Sequence, residues 1–505
     1  MSLAVIHSRA LDALAAPEVS VEIDLANGLP SFTLVGLADI EVRESRERVR
    51  AALQNSGLAY PHNKRVTVNL APAELPKESG RFDLPIALGI LAASGQLVAS
   101  RLDRFEFAGE LSLTGELRPV RGALALALGL RKLGTDRALV LPVTSAKEAA
   151  LVEGVRVHGA AHLLDVVRWM STGTDESFAL PLMTADLGTA PAHVLDLRDV
   201  KGQSAAKRAL EVAAAGSHSL LLTGPPGTGK SMLAQRFAGL LPPLSTDEAL
   251  ESAAIQSLTH DFDVRRWGQR AYRAPHHSSS SAALVGGGGT PRPGEVSLAH
   301  HGVLFLDELP EFPRTALEAL REPMENGRIL ISRAARHAEF PARFQLIAAM
   351  NPCPCGHRGS PLHACRCTPD AVARYQGRIS GPLLDRIDLR VEVPAVSAQT
   401  LGAAPDGEPS AVIAARVLAA RQRASARQAC TNSALAGKSL DEHCRLAAAP
   451  ANFLQTAAAR LGWSGRSFHR VLRIARSVAD LAASESIDVA HLSEAIQYRR
   501  ESVVP

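Results

Sequence analysis

The sequence has no apolar run near the about eighteen residues that a membrane-crossing helix needs. Its longest candidate, Ala123 to Leu130, holds eight. The opening, MSLAVIHSRALDAL, lacks a basic segment followed by a long apolar core, so no secretory leader is expected and the cytoplasm is the expected compartment. Cysteine is scarce, with six in 505 residues, too few for a disulfide framework. Four of the six fall between Cys353 and Cys367, and that clustering points to a metal instead. A surplus of one charge is also missing: the net charge of +4 is too weak to announce a nucleic-acid partner by itself. Its distribution is uneven, however, with eleven Lys and Arg between Ala414 and Ala479 against Asp441 and Glu442 alone. That imbalance fits either a solvated helical face or a binding surface. What remains is an ordinary globular composition, 46% apolar and 21% charged, in a chain long enough for about two to four domains.

What the sequence does hold is His218 to Ser231, HSLLLTGPPGTGKS. Ser219 to Thr223 make a short apolar run, and Gly224, Pro225, Pro226, Gly227, Thr228, Gly229, Lys230 and Ser231 fit G-x-x-x-x-G-K-[ST]. The glycines let backbone N–H groups close around phosphate oxygens, and the helix that follows turns its positive end to them. Lys230 is placed to reach the β and γ phosphates, and the Ser231 hydroxyl to ligate Mg²⁺. A partner lies at Gly302 to Phe312, GVLFLDELPEF, where an apolar strand delivers two adjacent carboxylates. Asp307 then holds the hydrated Mg²⁺ and Glu308 polarises the attacking water. Together the two stretches imply a nucleotide hydrolase core that uses ATP and Mg²⁺.

Four stretches divide the chain. Residues 1–170 read as mixed α/β, with strands over Val19–Leu25, Arg65–Leu70 and Glu106–Leu113 and helices over Leu84–Ala93 and Gly122–Leu133. Residues 171–192 are small and polar without periodicity and read as a linker. Residues 193–395 carry the phosphate loop, beginning with a helix over Asp196–Ala215. Residues 396–505 are helical, over Val412–Cys430, Pro450–Leu461, Ser467–Ala483 and Val489–Tyr498. Between the phosphate loop and Asp307, the pairs His276–His277 and His300–His301 invite a metal reading. Adjacent histidines point apart on a strand, so a loop that meets substrate or a neighbour is the better reading. In C-P-C-G-H-R-G-S-P-L-H-A-C-R-C, Cys353, Cys355, Cys365 and Cys367 supply four soft ligands suited to tetrahedral Zn²⁺, with His357 or His363 able to replace one.

SRALDAL, ANGLPSFTLVGLADIEVRESRERVRAALQNSG, VNLAPAELPKESGRFDLPIALGILAASG and FAGELSLTGELRPVRGALALA resemble the N-terminal domain of the ComM (YifB) family of Mg-chelatase-like ATPases. The resemblance runs over nearly the whole chain. It implies an α/β multidomain fold: a Lon-protease-like and ribosomal-protein-like α+β domain, an AAA+ P-loop domain with a small four-cysteine insertion, and a C-terminal helical lid. In the alignment with Lon-type proteases, Phe82 stands at the serine and Leu124 near the lysine, so no proteolysis is expected; Ser79 and Lys77 read as loop residues.

The resemblance also implies roles. A β-hairpin before Asn351 matches the one that enters the central pore in DNA-translocating relatives, which makes Arg333, Arg336 and His337 candidates for contacts with the DNA backbone. Asn351 falls at the sensor position, where an amide orders the water against the γ-phosphate. Arg386 in LLDRIDL falls at the arginine finger that reaches the neighbouring subunit's nucleotide, with Arg378 the alternative; either could instead pair with Asp385 or Asp388. Arg466 falls at the second sensor on the nucleotide, with Arg470 the alternative.

A Mg²⁺-ATP-driven ring, hexameric as the family implies, that translocates on branched or single-stranded DNA and promotes branch migration is therefore expected. A motor that remodels a protein partner is the rival, and an ATP-dependent protease a weaker one.

Overall fold

The computed structural model describes residues 3–499, except 173–178, 186–194, 260–261, 289–290, 334–335, 361–362 and 403–406. Most of the expected linker, 171–192, thus lies outside the described residues. The chain forms two compact units. The first comprises 1–190 with 246–267, and the second 191–245 with 268–505.

The first unit is built on a seven-stranded sheet of β1 (Leu3–Arg9), β2 (Glu18–Asn27), β3 (Ser31–Val35), β4 (Lys64–Ala71), β5 (Phe105–Phe107), β6 (Ala138–Pro142) and β7 (Val157–Ala160), in the order β3-β4-β2-β1-β5-β6-β7. Period-two patterning fixes the buried face: Val19, Val21, Ile23 and Leu25 of β2 and Val66, Val68 and Leu70 of β4 all point inward. Helix α1 (Asp83–Ala93) lies on that face. Its Gly89 sits so close to the sheet that a Cβ there would stand 2.1 Å from Ile23 Cδ1. The single strand expected over Glu106–Leu113 breaks because Gly109 gives its N–H to the Arg81 carbonyl and its own carbonyl to Leu84 N–H.

Phe82 and Leu124, the residues at the protease serine and lysine positions, are fully buried in apolar cores. Lys77 is buried with its ammonium on the Pro72 carbonyl, and Ser79 Oγ accepts from Arg81 Nε at 3.0 Å. Helix α2 (Ala123–Leu133) packs against a segment from much later in the chain. Leu250, Ala253 and Ala254 of the helix Thr246–Ser257 join its core, and Gly122 N–H donates to the Ser257 carbonyl. The sequence order thus conceals that Thr246–Trp267 folds with the first unit.

The second unit centres on a parallel sheet of β8 (Leu220–Thr223), β9 (Tyr272–Arg273), β10 (Val303–Leu306), β13 (Gln345–Met350) and β14 (Leu389–Glu392), ordered β9-β10-β13-β8-β14. Between β10 and β13 the hairpin β11 (Arg328–Arg333) and β12 (Arg336–Pro341) forms a separate two-stranded ladder. VLFL and QLIAAM are continuous apolar runs, buried along their length as strands covered on both faces must be. The helix expected over Asp196–Ala215 is instead a single turn, Leu197–Asp199, followed by α3 (Ser204–Gly216). Gly202 and Gln203 break it by adopting left-handed φ values of 63° and 56°.

Helix α4 (Lys230–Phe237) follows the phosphate loop. The C-terminal segment then supplies α5 (Ser410–Gln428), α6 (Ala448–Leu461), α7 (Gly465–Leu481) and α8 (Val489–Gln497), close to the expected bounds. Val471, Ile474, Ala475 and Val478 of α7 share one apolar core with α3 and the sheet. Among the described residues no helix is long and apolar enough to cross a membrane.

Candidate active site

The loop Gly224–Gly229 leaves β8 and enters α4 at Lys230. Gly227 and Gly229 take φ values of 75° and 90°, which residues with a Cβ rarely adopt, and this lets the backbone fold back tightly. Gly224 is fixed for a second reason: a Cβ there would stand 2.2 Å from the Val393 carbonyl oxygen. Thr228 Oγ1 donates to the Pro225 carbonyl at 3.0 Å and closes the loop on itself.

Parallel strand order brings distant side chains to this loop. Lys230 Nζ donates to the carbonyls of Gly224 and Pro225, at 2.7 and 2.8 Å, and to Asn351 Oδ1 at 3.2 Å. Burial lowers the Lys230 pKa, against the pull of Asp307 and Glu308. Ser231 Oγ donates to Asp307 Oδ2 at 2.6 Å. Lys230, Ser231, Asp307 and Asn351, from three separate stretches of the sequence, therefore converge. The hydroxyl and carboxylate are hard oxygen donors side by side, a set that fits Mg²⁺.

Glu308 follows with a left-handed φ of 52°, and its Oε2 lies 2.9 Å from His277 Nδ1. His277 went unrecognised as a site residue in the sequence, as did Gln203, whose Nε2 donates to the Thr228 carbonyl at 3.1 Å and the Pro394 carbonyl at 2.7 Å. No motif contains either residue. The histidine pairs do not point apart, because both lie in turns: the ring centroids are 4.1 Å apart for His276 and His277 and 3.9 Å for His300 and His301. His300 is buried and accepts Arg343 N–H at 2.9 Å.

The arginines assigned to the nucleotide of this or a neighbouring subunit make other contacts within this chain. Arg386 pairs with Glu325 and its side chain is 12% exposed, whereas Arg378 pairs with Glu311 at 2.7 Å and is 54% exposed. Both partners are glutamates rather than Asp385 or Asp388. Arg470 lies 3.3 Å from Asp388. Asp388 precedes β14, at the end of the sheet opposite the phosphate loop. Arg466 is exposed one turn before Arg470, so neither joins the Lys230 group.

Several basic residues of the C-terminal helices are engaged internally: Arg416 with Glu211 and Glu408, Arg427 and Arg476 with Asp480, and Arg423 with the Asp480 carbonyl. Lys438, Arg445, Arg460 and Arg466 are exposed. In the hairpin, Arg333 pairs with Arg336 and Ser332 with His337 along the backbone. The side chains of Arg333, Arg336 and His337 lie outside what the structure describes.

Immediately beyond Asn351, the sulfurs of Cys353 and Cys355 are 3.5 Å apart, those of Cys353 and Cys365 3.7 Å, and those of Cys355 and Cys365 3.6 Å. With Cys367 they form a four-cysteine cluster with every ligand atom within 4.8 Å of the others. Four thiolates at about 2.3 Å from a tetrahedral Zn²⁺ stand about 3.8 Å from one another, so the donor set fits that ion. Backbone N–H groups of His357 and then Arg366 hold the Cys355 thiol at about 6, below its ordinary range.

Three family models match: subunit ChlI of Mg-chelatase over residues 21–145, magnesium chelatase subunit ChlI over 196–401, and the C-terminal part of that subunit over 407–499. Competence protein ComM of Haemophilus influenzae is 49% identical over 506 residues, covering 99% of this chain and 98% of the relative. Protein YifB of Salmonella typhimurium is 48% identical over 501 residues, covering 99% and 97%. A stretch of 137 residues, 27% of this chain and 14% of the relative, is 26% identical to the DNA replication licensing factor MCM3 of Gallus gallus. Nearly full-length likeness at this identity, together with the three domain matches, means that the chain belongs to the ComM/YifB family of Mg-chelatase-like AAA+ proteins.

Proposed function

We propose that the chain is a Mg²⁺-dependent ATPase that assembles as a ring, hexameric as the family resemblance implies, translocates on DNA and promotes branch migration of recombination intermediates. The observation that carries the ATPase reading is the convergence of Lys230, Ser231, Asp307 and Asn351 on one glycine-rich loop. In this reading the loop N–H groups and Lys230 bind the phosphates, Ser231 and Asp307 hold the cation, Glu308 orients and polarises the attacking water, and Asn351 keeps that water aligned. The cation, when bound, neutralises charge developing on the phosphate oxygens. Arg386 or Arg378 reaches a neighbouring copy, which makes the site complete only in an oligomer. Arg466, exposed at its helix start, is assigned to nucleotide sensing, and the four-cysteine cluster to Zn²⁺.

The DNA step draws on the competence name of ComM, the partial likeness to a replication licensing factor, and the hairpin carrying Arg333, Arg336 and His337. A motor acting on a protein partner is the second reading. It is favoured by the internal pairing of Arg416, Arg427 and Arg476, which removes much of the basic surface the C-terminal helices offered to DNA. Steady-state ATP hydrolysis with single-stranded, duplex and four-way-junction DNA across a salt series separates the two. Salt-sensitive stimulation by DNA is expected, since phosphate contacts release counterions. Hydrolysis indifferent to every DNA, with no DNA binding at low salt, would transfer the assignment to the protein-remodelling motor.

A further inference from the structure

The four-cysteine cluster touches the phosphate loop. The chain leaves β13 at Met350, passes Asn351, and has its Pro352 carbonyl held by Gln376 Nε2 at 3.1 Å before Cys353 begins the cluster. Gly356 then turns back with φ 80°, and its N–H donates to the Cys353 carbonyl at 2.9 Å. At that turn the backbone presses on the nucleotide site. A Cβ on Gly356 would stand 2.6 and 2.7 Å from Cδ and Cγ of Pro226 and 3.8 Å from Cγ of Asn351. Pro226 lies in the middle of the loop whose carbonyls at Gly224 and Pro225 hold Lys230. Asn351 holds the same ammonium from the other side. Gly356 therefore stands against both walls of the site.

We propose that Zn²⁺ held by Cys353, Cys355, Cys365 and Cys367 fixes the turn at Gly356 against Pro226 and so sets the phosphate loop in the shape that accepts nucleotide. Without the metal, the four thiols have only weak mutual contacts, and the segment between Cys353 and Cys367 loses the bonds that define its path. The loop then regains the freedom that its glycines allow, and binding nucleotide must pay for ordering it. With the metal in place that ordering is already done. Metal and nucleotide are thereby coupled, and the coupling is reciprocal: each strengthens the binding of the other by the same factor. The proposal rests on the reading of Gly224–Ser231 as a nucleotide site.

The test uses the full-length protein and a fluorescent ATP analogue with Mg²⁺. Elemental analysis is expected to find one zinc per chain. Release of zinc with a thiol-directed mercurial, followed by removal of the mercurial with excess thiol, is expected to weaken analogue binding about tenfold, and added Zn²⁺ to restore it. ATP is expected to slow zinc loss to a chelator. Cys365→Ser/Cys367→Ser should lack the metal and show the weak binding. Gly356→Ala should keep its zinc and still lose affinity, because the added methyl group meets Pro226 rather than the cysteines; its unchanged metal content serves as the check on folding.

Zinc-free protein that binds the analogue as tightly as zinc-loaded protein would overturn the clamp while leaving the nucleotide reading intact. So would a purified chain that carries no zinc and gains no affinity when zinc is added. Zinc-loaded protein that binds no analogue at all would overturn the nucleotide reading, and the clamp with it.

Discussion

His277 Nδ1 lies 2.9 Å from Glu308 Oε2, so the carboxylate that follows Asp307 is held by an imidazole from the loop after β9. The Glu308 backbone is itself in the left-handed region, at φ 52°. Two constraints thus set where this carboxylate stands. Removing the imidazole should disturb the aim of the base without touching the phosphate loop. We predict that His277→Ala lowers kcat about ten- to hundredfold and leaves KM within about twofold, as misplacement of a catalytic group does. Wild-type kcat in that variant would show that the pairing has no part in turnover.

Glu308→Gln changes the proton acceptor while keeping the side chain's size. Nucleotide binding should survive, since Lys230, Ser231 and Asp307 are untouched, while hydrolysis falls at least about a hundredfold. Equilibrium binding and single-turnover hydrolysis on the same preparation check both halves, and normal turnover would remove Glu308 from its assigned role.

Arg386 is held by Glu325 of its own chain, so reaching a neighbouring nucleotide requires it to exchange that partner for a phosphate. Arg378 is more exposed but is likewise paired, with Glu311. Loss of the true finger should cost about a thousandfold in hydrolysis with binding retained. A mixture of Arg386→Ala and Glu308→Gln proteins should regain activity, because one copy supplies the base and its neighbour the arginine. Retained hydrolysis by Arg386→Ala alone, with loss in Arg378→Ala that a mixture with Glu308→Gln restores, would assign the role to Arg378.

The elements most legible in the sequence are those whose residues are contiguous. HSLLLTGPPGTGKS and GVLFLDELPEF each carry their strand, their turn and their polar end in one stretch, so a single apolar run and its flanks specify the geometry. Parallel strand order then brings Lys230, Ser231, Asp307 and Asn351 together. Gln203, His277 and Gly356 were illegible because what each touches lies in another segment, and polar or turn-rich surroundings gave no period to place them. His277 drew notice only as half of a histidine pair, whereas its partner is a carboxylate. The arginines' in-chain partners were hidden for a different reason. Helical spacing shows that Arg470, Arg473 and Arg476 neighbour one another on α7, but not that Asp388 and Asp480 take up two of them.

Asp388 ties α7 to the base of the sheet. It accepts from Ser219 N and Oγ at 3.2 and 3.3 Å and stands 3.6 Å from His218 Nδ1 and 3.3 Å from Arg470 Nε. Burial alone would raise its pKa; His218 and Arg470 instead hold it below the ordinary value. Asp388→Ala leaves a partly buried arginine and a buried histidine without that carboxylate, which should destabilise the second unit by about 3 kcal/mol. Adding Arg470→Ala to that variant should cost little more, because the two side chains form one interaction. Denaturant unfolding of the single and double variants checks this, and fully additive losses would show that the pair is not coupled.

Glu148 in the first unit gives stability a pH dependence of the opposite kind. It lies on the helix Val143–Ala149, and burial pushes its carboxyl up from 4.5 to about 7. The folded chain therefore keeps a proton that the unfolded chain gives up at lower pH. Its stability should fall as pH rises from 4.5 to about 7 and level off above that. Glu148→Gln cannot ionise and should lack this slope. Because the side chain is only partly buried, solvent screening reduces the expected gain to about 1 kcal/mol at pH 8, with no difference near pH 4. Hydrogen exchange of the β6 and β7 amides, corrected for intrinsic rates, reads the difference locally. A wild-type slope unchanged in the variant would show that another group in the first unit carries the proton.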